Sequence, residues 1–343
     1  MASLRIQRLL KINRNSGIET RSAIFDYSME HSTDSIPSRI EDMDRLFRTA
    51  GVDMTVDACN RAMKEGSIRP NDITHTVAVT CTNQGNPGFD VLVNEKLGLS
   101  TSVDRTLLHG VGCAGGLAIM RTAAQLACGP TMRNRPARIL CFACELSTPN
   151  LRYELEAVAN CAELSEVGIA AALFPDAAAA FVLCNDLGMQ SEVNPIFELL
   201  DWTTTIIPGT RTKLEFHTEG KGHRTILNRS VPRHVTSIIR PTFEKLLSSI
   251  RTQTACHDLS VSDFDWALHP GGRAIMDGVQ QVMGLTDDQL LAARAIYKHR
   301  GNSSSPTVLA VLDKLRPMQT HRNFVVAAAF GPASLAVPYL TCR

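Results

Sequence analysis

Short, continuously apolar segments alternate with longer amphipathic segments along the 343 residues of the chain. The clearest apolar runs are residues 73–82 (ITHTVAVTCT) and 137–145 (ARILCFACE). Runs of this length without a polar face are typical of strands that helices cover on both sides. The alternation therefore predicts the α/β class, with sheets buried between helices.

The same patterns predict further strands at 105–111, 177–184, 196–207, 264–268, 324–330 and 334–341, and helices at 38–65, 114–128, 235–251, 273–283 and 306–315. We expect strands 177–184 and 196–207 to pair with each other and close the first half. The last two strands are expected to form a terminal hairpin. Because the second half repeats the style of the first without a low-complexity linker, we predict two joined halves, 1–190 and 191–343.

The composition excludes several classes of protein. A net charge of +1 and a hydrophobic content of 44% are ordinary for a globular chain. Such a balance has no basic patch for nucleic acid. No stretch approaches the roughly 20 apolar residues of a membrane span, and the N-terminus has no signal-peptide pattern. We expect a soluble, cytoplasmic protein with no nucleic-acid partner and no membrane span.

Ten cysteines are spread singly through apolar segments. The only Cys-x-x-Cys pair, Cys141 and Cys144, lies inside a predicted strand, whereas a redox motif usually opens a helix. No second pair of cysteines or histidines has the spacing of a zinc site. We therefore predict buried, reduced cysteines and no metal.

Cys113 lies in the glycine-rich segment 110–116 (GVGCAGG), between a predicted strand and a predicted helix. Glycines permit a tight turn and close approach of the backbone. A thiol at a helix N-terminus is favoured as the thiolate, which is the nucleophilic form. A buried cysteine in a packed turn would give the same local pattern, so both interpretations stay open for Cys113 alone.

Two polar residues have patterns that suit a partner role. His269 ends the strand 264–268 and is followed by Pro-Gly-Gly, which displays it on a rigid turn; alone, it is better interpreted as a surface histidine. Asn302 lies in the segment 301–306 (GNSSSP) and, alone, is better interpreted as a helix cap. Together with Cys113 they form a set suited to acyl transfer, because developing enolates and oxyanions need preorganised donors.

The segments around these three residues resemble the chalcone synthase-like type III polyketide synthases. The resemblance rests on residues 112–116 (GCAGG), 267–275 (ALHPGGRAI) and 301–304 (GNSS), supported by 173–179 (LFPDAAA) and 330–332 (FGP). The His-Pro-Gly-Gly segment favours this family over the ketoacyl-ACP synthases III, which share its fold. The resemblance implies a thiolase-like five-layer αβαβα fold of two duplicated halves, and a homodimer.

The resemblance also implies a reaction. Cys113 would take the acyl group of an acyl-CoA starter, while His269 and Asn302 would hold the thioester carbonyl of malonyl-CoA as carbon dioxide leaves. The resulting enolate would attack the Cys113-bound acyl group. CoA thioesters are the substrates, and no cofactor is implied. The related hydroxymethylglutaryl-CoA synthases are disfavoured, because they use a glutamate that would repel an enolate.

Ten further positions correspond to binding residues of the family. The resemblance implies contacts with the CoA phosphates by Arg8, Lys11 and Arg14, a cavity gate at Phe174 and Thr225, cavity walls at Asn83 and Asn150, and a pantetheine path along Gly271, Gly272 and Ala274. Thr225 would replace a second gating phenylalanine of the family. For the basic stretch, a solvated helix face is an equally good interpretation.

Several segments depart from the usual family pattern. Pro175-Asp176-Ala177 stands where Gly-Asp-Gly is common, and Ala333 replaces a glycine. These changes resemble fungal members, many of which use fatty acyl starters and make alkylpyrones, resorcinols or resorcylic acids.

The family normally has about one more strand and a helix before the segment that begins at Arg5. We expect that their loss would leave a neighbouring strand unpaired, with apolar surface exposed. Two alternatives therefore stay open: a single-round 3-ketoacyl synthase of the same fold, and a truncated, inactive thiolase-fold protein.

Overall fold

The computed structural model describes residues 4–24, 39–164, 167–189, 193–254, 257–318 and 322–342. Its helices are α1 (Leu4–Asn15), α2 (Ile40–Leu46), α3 (Val52–Glu65), α4 (Phe89–Leu97), α5 (Gly115–Met132), α6 (Leu151–Asn160), α7 (Ala170–Leu173), α8 (Val231–Thr254), α9 (Arg273–Met283), α10 (Leu291–Arg300) and α11 (Thr307–Leu315). Its strands are β1 (His75–Val79), β2 (Asp104–Leu108), β3 (Arg138–Glu145), β4 (Ala177–Cys184), β5 (Phe197–Ile206), β6 (Leu214–Glu219), β7 (Gly222–Leu227), β8 (Phe264–Leu268), β9 (Phe324–Gly331) and β10 (Ser334–Cys342).

The first sheet has the strand order β2-β1-β3-β4. Strands β2, β1 and β3 are parallel, and β4 is antiparallel to β3 over its whole length. Successive side chains of β1 and β3 alternate between two different cores. Val77 and Val79 pack into one core, and Ala78 packs into the other. Both faces of the sheet are therefore covered, which explains why these strands read as continuous apolar runs.

The second sheet, β5-β10-β9-β8, repeats this arrangement. Strand β8 is parallel to β9, as β1 is to β3 in the first sheet. Strand β9 is antiparallel to β10, as β3 is to β4. Strand β5 pairs with the outer side of β10. The equivalent side of β4 has no strand within the described ranges, and the side chains of β4 are half-buried along its length.

Five layers follow from how the helices pack on these sheets. Helices α5 and α11 lie in the middle, in contact with each other and with strands of both sheets. Helix α3, with α4 beside it, covers the outer face of the first sheet, and α8, with α9 beside it, covers the second. The predicted duplicated αβαβα fold is confirmed. The strand and helix predictions at the three motif segments are confirmed as well.

One prediction of strand pairing is wrong. Segments 177–184 and 196–207 are strands, but β4 pairs with β3 while β5 pairs with β10 of the other sheet. Consecutive strands usually lie side by side, which is why the pairing was expected. Here the connection between them crosses from one half to the other.

The cysteine prediction is correct in part. Cys59, Cys141 and Cys144 are buried free thiols, whereas Cys128 is exposed on α5. Cys256, by contrast, lies outside the described residues. Since Cys141 and Cys144 occupy β3 positions of opposite parity, their side chains enter different cores. They therefore cannot share a disulfide or a metal ion.

Several elements are not visible in the sequence pattern. Helices α4, α6 and α10 and the antiparallel hairpin of β6 and β7 are absent from the predictions above. No helix in the described part of the chain is long and apolar enough to cross a membrane.

The start of α5 touches the start of α11 through two glycines. A Cβ on Gly115 would lie 2.9 Å from the Ser305 Cβ, and one on Gly116 would lie 2.5 Å from the Ser305 carbonyl oxygen. Side chains at these positions would push apart two segments that carry motif residues from different halves.

We predict that Gly116→Ala lowers the free energy of unfolding by about 1–3 kcal/mol, the usual cost of forcing atoms into a packed core. Gly129→Ala is the matched control, because Gly129 lies in the same helix with nothing within 4 Å of its Cβ position. Urea denaturation measures both. Equal stability of the two variants would contradict the argument.

Candidate active site

Cys113 lies in a single 3₁₀ turn, Gly112–Ala114, that links β2 to α5. Gly112 has a φ of +58°, and a Cβ there would lie 2.8 Å from the Pro332 ring. The turn is therefore restricted to glycine by its conformation and by the loop between β9 and β10. It holds Cys113 at the N-terminal end of α5, half-buried.

The electrostatic surroundings of Cys113 differ from the expectation. Burial raises the pKa of the thiol to about 11; a hydrogen bond from Ser304 lowers it, nearby Glu145 raises it, and a hydrogen bond from Asn302 lowers it. The predicted bias toward the thiolate is therefore wrong for the free protein. Desolvation of the charged form outweighs the helix dipole, so that Cys113 is a thiol near neutral pH.

His269 follows β8, and its backbone N–H donates to Ala328 O of β9 at 2.7 Å. Its side chain is 1% exposed. Neither ring nitrogen has a hydrogen-bond partner among the described residues. Burial lowers the pKa of His269 to about 3, so its imidazole is neutral. Buried polar atoms without partners are rare in folded proteins, and they mark a place where another molecule supplies the partner.

Asn302 connects the other two residues. Its Nδ2 donates to Gly271 O at 3.4 Å, close to the His269 ring, and its side chain lies near enough to Cys113 to lower the pKa of the thiol. Its Oδ1 accepts from the Ser304 N–H at 2.9 Å. Ser304 has a φ of +59°, a conformation that is strained for residues other than glycine. The hydrogen bond to Asn302 helps to hold it. The structure thus brings the three predicted residues together on loops from both halves.

A buried carboxylate lies behind the thiol. Glu145, at the end of β3, accepts hydrogen bonds from the Cys81 N–H at 3.1 Å, from Thr82 Oγ1 at 2.8 Å and from Ser305 Oγ at 2.6 Å. Burial raises its pKa, and these donors oppose the change. Cys81 Sγ also donates to Glu145, at 3.3 Å. Neither Glu145 nor Cys81 is among the site residues predicted from the sequence.

A cavity of about 280 Å³ is lined by Thr82, which donates to Glu145, and by residues of α6, α7 and β7; Cys113, His269 and Asn302 are not part of its lining. Three of the predicted binding residues, Asn150, Phe174 and Thr225, line it. Asn83 does not: its Nδ2 donates to Asp44 at 2.7 Å and its Oδ1 accepts from Gly85, while the neighbouring Thr82 faces the cavity. Asn83 therefore stabilises a loop and does not contact the cavity itself.

The other predicted binding positions lie on two helices and a turn. Arg8, Lys11 and Arg14 belong to α1, whose apolar residue Leu9 is buried against α6 and α7. Lys11 and Arg14 are exposed, and Arg8 Nε is buried without a hydrogen-bond partner in the described part.

The turn after His269 leads into α9. Gly272 precedes the first residue of the helix in extended conformation, and Ala274 is exposed in the first helical turn. A Cβ on Gly271 would lie 3.5 Å from the His269 ring. The turn therefore packs closely on the imidazole.

Two further cavity residues, Glu154 and His223, were not predicted. Both are buried and polar. The described residues contain no group of three or more histidine, cysteine, aspartate or glutamate side chains that could bind a metal ion.

The chain belongs to the chalcone and stilbene synthases. The N-terminal domain of that family matches residues 18–187, and its C-terminal domain matches residues 198–337. The protein is therefore a type III polyketide synthase, which is an acyltransferase.

Among its relatives, the type III polyketide synthase pspB of Penicillium soppii is 54% identical over 338 residues, which cover 95% of this chain and 85% of that protein. The acylalkylpyrone synthase csyB of Aspergillus oryzae is 37% identical over 333 residues, 95% of this chain and 83% of that protein.

Solved structures agree with this assignment. A type III pentaketide synthase from Neurospora crassa has a TM-score of 0.95 and 38% identity, and covers 100% of this chain and 92% of that one. CsyB complexed with CoA-SH has a TM-score of 0.93 and 34% identity, with the same coverage.

We predict that Ser304→Ala slows alkylation of Cys113 by iodoacetamide at pH 8 about fivefold, the effect of losing one hydrogen bond of about 1 kcal/mol. The Ser304 hydroxyl lowers the pKa of Cys113, so its removal leaves less thiolate. Peptide mass spectrometry follows Cys113 separately from the exposed Cys128.

Ser303→Ala is the control, because the Ser303 hydroxyl bonds to Thr307 at 3.0 Å. The same rate in both variants would show that Ser304 does not stabilise the thiolate.

Proposed function

We propose that this polyketide synthase loads a fatty acyl group from acyl-CoA onto Cys113 and extends it with malonyl-CoA, giving products of the alkylpyrone, resorcinol or resorcylic type. One observation carries the assignment of the site: Asn302 lies beside Cys113, whose pKa it lowers, and donates to the turn of His269, whose buried ring nitrogens have no partner in the described structure. The 37% identity to an acylalkylpyrone synthase supports the class of product.

In the loading step, Cys113 Sγ forms a bond to the acyl carbon, and the bond from that carbon to the CoA sulfur breaks. The thiol proton leaves with CoA as its free thiol. Because Cys113 and His269 are both uncharged at rest, these two residues form no ion pair before substrate arrives. The neutral imidazole of His269 is assigned the role of taking up the proton and passing it on.

In the extension step, malonyl-CoA loses carbon dioxide and leaves an enolate, whose charge is concentrated on the thioester oxygen. His269 and Asn302 donate hydrogen bonds to that oxygen, and neutral donors in a dry site stabilise it strongly. The enolate carbon then bonds to the acyl carbon on Cys113, and the cysteine sulfur leaves as a thiolate. The thiolate accepts the lengthened chain for another round.

The CoA moiety is proposed to lie along α1 and the start of α9. Arg8, Lys11 and Arg14 supply positive charge for its phosphates. Gly271, Gly272 and Ala274 leave room beside His269 for the pantetheine arm. The match to a CsyB structure that contains CoA supports this assignment. A homodimer and a cytoplasmic location are part of the proposal, and sedimentation and fractionation measure them.

We predict that Cys113→Ala abolishes acyl loading and product formation, since no other residue supplies the nucleophile. Intact-protein mass spectrometry after incubation with acyl-CoA measures the loading. Cys128→Ser is the control, because Cys128 is an exposed thiol on α5, the helix that follows the Cys113 turn. Full polyketide formation by Cys113→Ala would refute the mechanism.

We predict that His269→Gln and Asn302→Ala each slow decarboxylation of malonyl-CoA about a hundredfold or more, the usual cost of removing one donor to a developing oxyanion. Starter loading is expected to fall much less. Release of labelled carbon dioxide measures decarboxylation separately from loading. Equal losses in both steps would contradict the assigned roles.

The test of the whole proposal is incubation of the protein with malonyl-CoA and a series of fatty acyl-CoAs, analysed by mass spectrometry. Pyrones or resorcinols with alkyl tails are expected. A 3-ketoacyl thioester as sole product would indicate a single-round synthase instead, and the absence of any product would refute the proposal.

A further inference from the structure

The cavity contains a second set of polar side chains that the chemistry at Cys113 does not use. Glu154, on α6, is 8% exposed, and His223, on β7, is 2% exposed. Both line the cavity of about 280 Å³, on the side where Thr225 also lies. Groups of this kind cost free energy when buried, so each needs a partner.

His223 presents a free nitrogen. Its ring stacks on Phe216, with centroids 4.8 Å apart and planes 27° apart. Nδ1 lies 3.4 Å from Thr218 Oγ1, and Nε2 is buried with no described partner that meets hydrogen-bonding distance and angle. Burial lowers the pKa of His223 to about 4, although the Thr82 backbone opposes the change. The neutral ring can therefore donate or accept at Nε2, according to its tautomer.

Glu154 is held by donors from two elements. The Thr225 hydroxyl and backbone N–H lie on the side of its carboxyl group and lower the pKa, and Asn150 Nδ2 lies 3.4 Å from Oε1. Burial raises the pKa of Glu154 to about 7 against these donors. The group is thus partly protonated near neutral pH and can donate as well as accept.

Asn150 fixes the two groups relative to each other. Its Nδ2 donates to the His223 carbonyl oxygen at 2.7 Å, and its Oδ1 accepts from the His223 N–H at 2.8 Å. A Cβ on Gly222 would lie 2.5 Å from that Oδ1, so glycine is required beside the contact. Asn150 is accordingly a positioning residue, and the pair is built into the cavity wall.

The chemistry of the pair selects one kind of occupant. A β-keto chain has an oxygen on alternate carbons and enolises readily, so it offers both acceptors and hydroxyl donors. An alkyl tail in the same place would leave His223 Nε2 without a partner and would place Glu154 against an apolar chain, which is costly. A CoA phosphate would need a cation, and Arg21, the arginine in the cavity lining, donates to the Ala171 carbonyl oxygen at the cavity wall. Thr225, where the family has a gating phenylalanine, adds to this polar surface.

We propose that Glu154 and His223 hydrogen-bond the carbonyl and enol oxygens of the growing β-keto chain, and so determine how many extensions precede ring closure and release. The inference rests on the polyketide synthase reaction proposed above, and assigns a specificity-determining site within it.

The test compares Glu154→Leu, Glu154→Gln and His223→Phe with wild type. Starter loading on Cys113 is measured with acyl-CoA alone, and the product distribution after malonyl-CoA is added. We expect unchanged loading. The ratio of the most extended to the least extended product should fall about fivefold for Glu154→Leu and His223→Phe, as for the loss of one hydrogen bond. Glu154→Gln should shift the ratio less, because an amide still donates.

Two exposed residues supply controls. Glu156→Gln changes the same helix at a side chain that faces Lys221, 3.8 Å away, and His257→Phe changes an exposed turn. Both should leave the ratio unchanged. If a cavity variant fails to fold, Thr225→Val decides, since it replaces only the cavity hydroxyl that lowers the pKa of Glu154; a smaller shift in the same direction is expected.

The outcomes separate the two proposals. An unchanged product ratio in the cavity variants, with wild type making polyketides, overturns the inference and leaves the proposed function intact. Absence of loading and of polyketides in wild type overturns both. A fall in loading that matches the fall in all products would reveal a purely structural role and also overturn the inference.

Discussion

The contact between the start of α5 and the start of α11 determines where everything else in the site can lie. Gly115 and Gly116 have no side chains, so the Ser305 segment approaches the α5 backbone closely. That approach joins the loop that carries Asn302 to the turn that carries Cys113. Since α5 and α11 both contact the two sheets, the same contact also holds together the central helical layer of the protein. The geometry of the candidate site and the packing of the core therefore depend on one pair of glycines.

Desolvation governs the charges around that contact. The thiol of Cys113 and the imidazole of His269 are both shifted toward their neutral forms, while Glu145 accepts hydrogen bonds from the segment after β1 and from Ser305 before α11. A neutral, dry pocket favours reactions in which charge develops on one substrate oxygen, because fixed donors act there without competition from water. The burial that makes Cys113 a poor nucleophile at rest therefore helps the later steps.

Much of this architecture could be predicted from local patterns. Short-range sequence signals mark the buried strands, the glycine turn at Cys113 and the loops of His269 and Asn302. The family resemblance then predicted that these segments form one site. The pairing of β4 and β5 could not be predicted, because strand partners depend on contacts distant in sequence. The direction of the pKa shift of Cys113 was also predicted wrongly, because the shift depends on burial, which is a property of the folded chain. Glu154 and His223 lie on an ordinary amphipathic helix and a short hairpin, so nothing local distinguishes them from surface residues.

The hydrogen bond from Ser305 to Glu145 has a consequence for how the two halves can vary. Its acceptor lies at the end of a strand in the first half, and its donor precedes a helix in the second. A buried carboxylate that loses a donor is left with an uncompensated cost. A chimera that joins one half of this protein to the other half of a relative must therefore retain both residues. Although the halves are copies of one topology, they are not interchangeable modules, and substitutions at their shared surface have to occur in pairs.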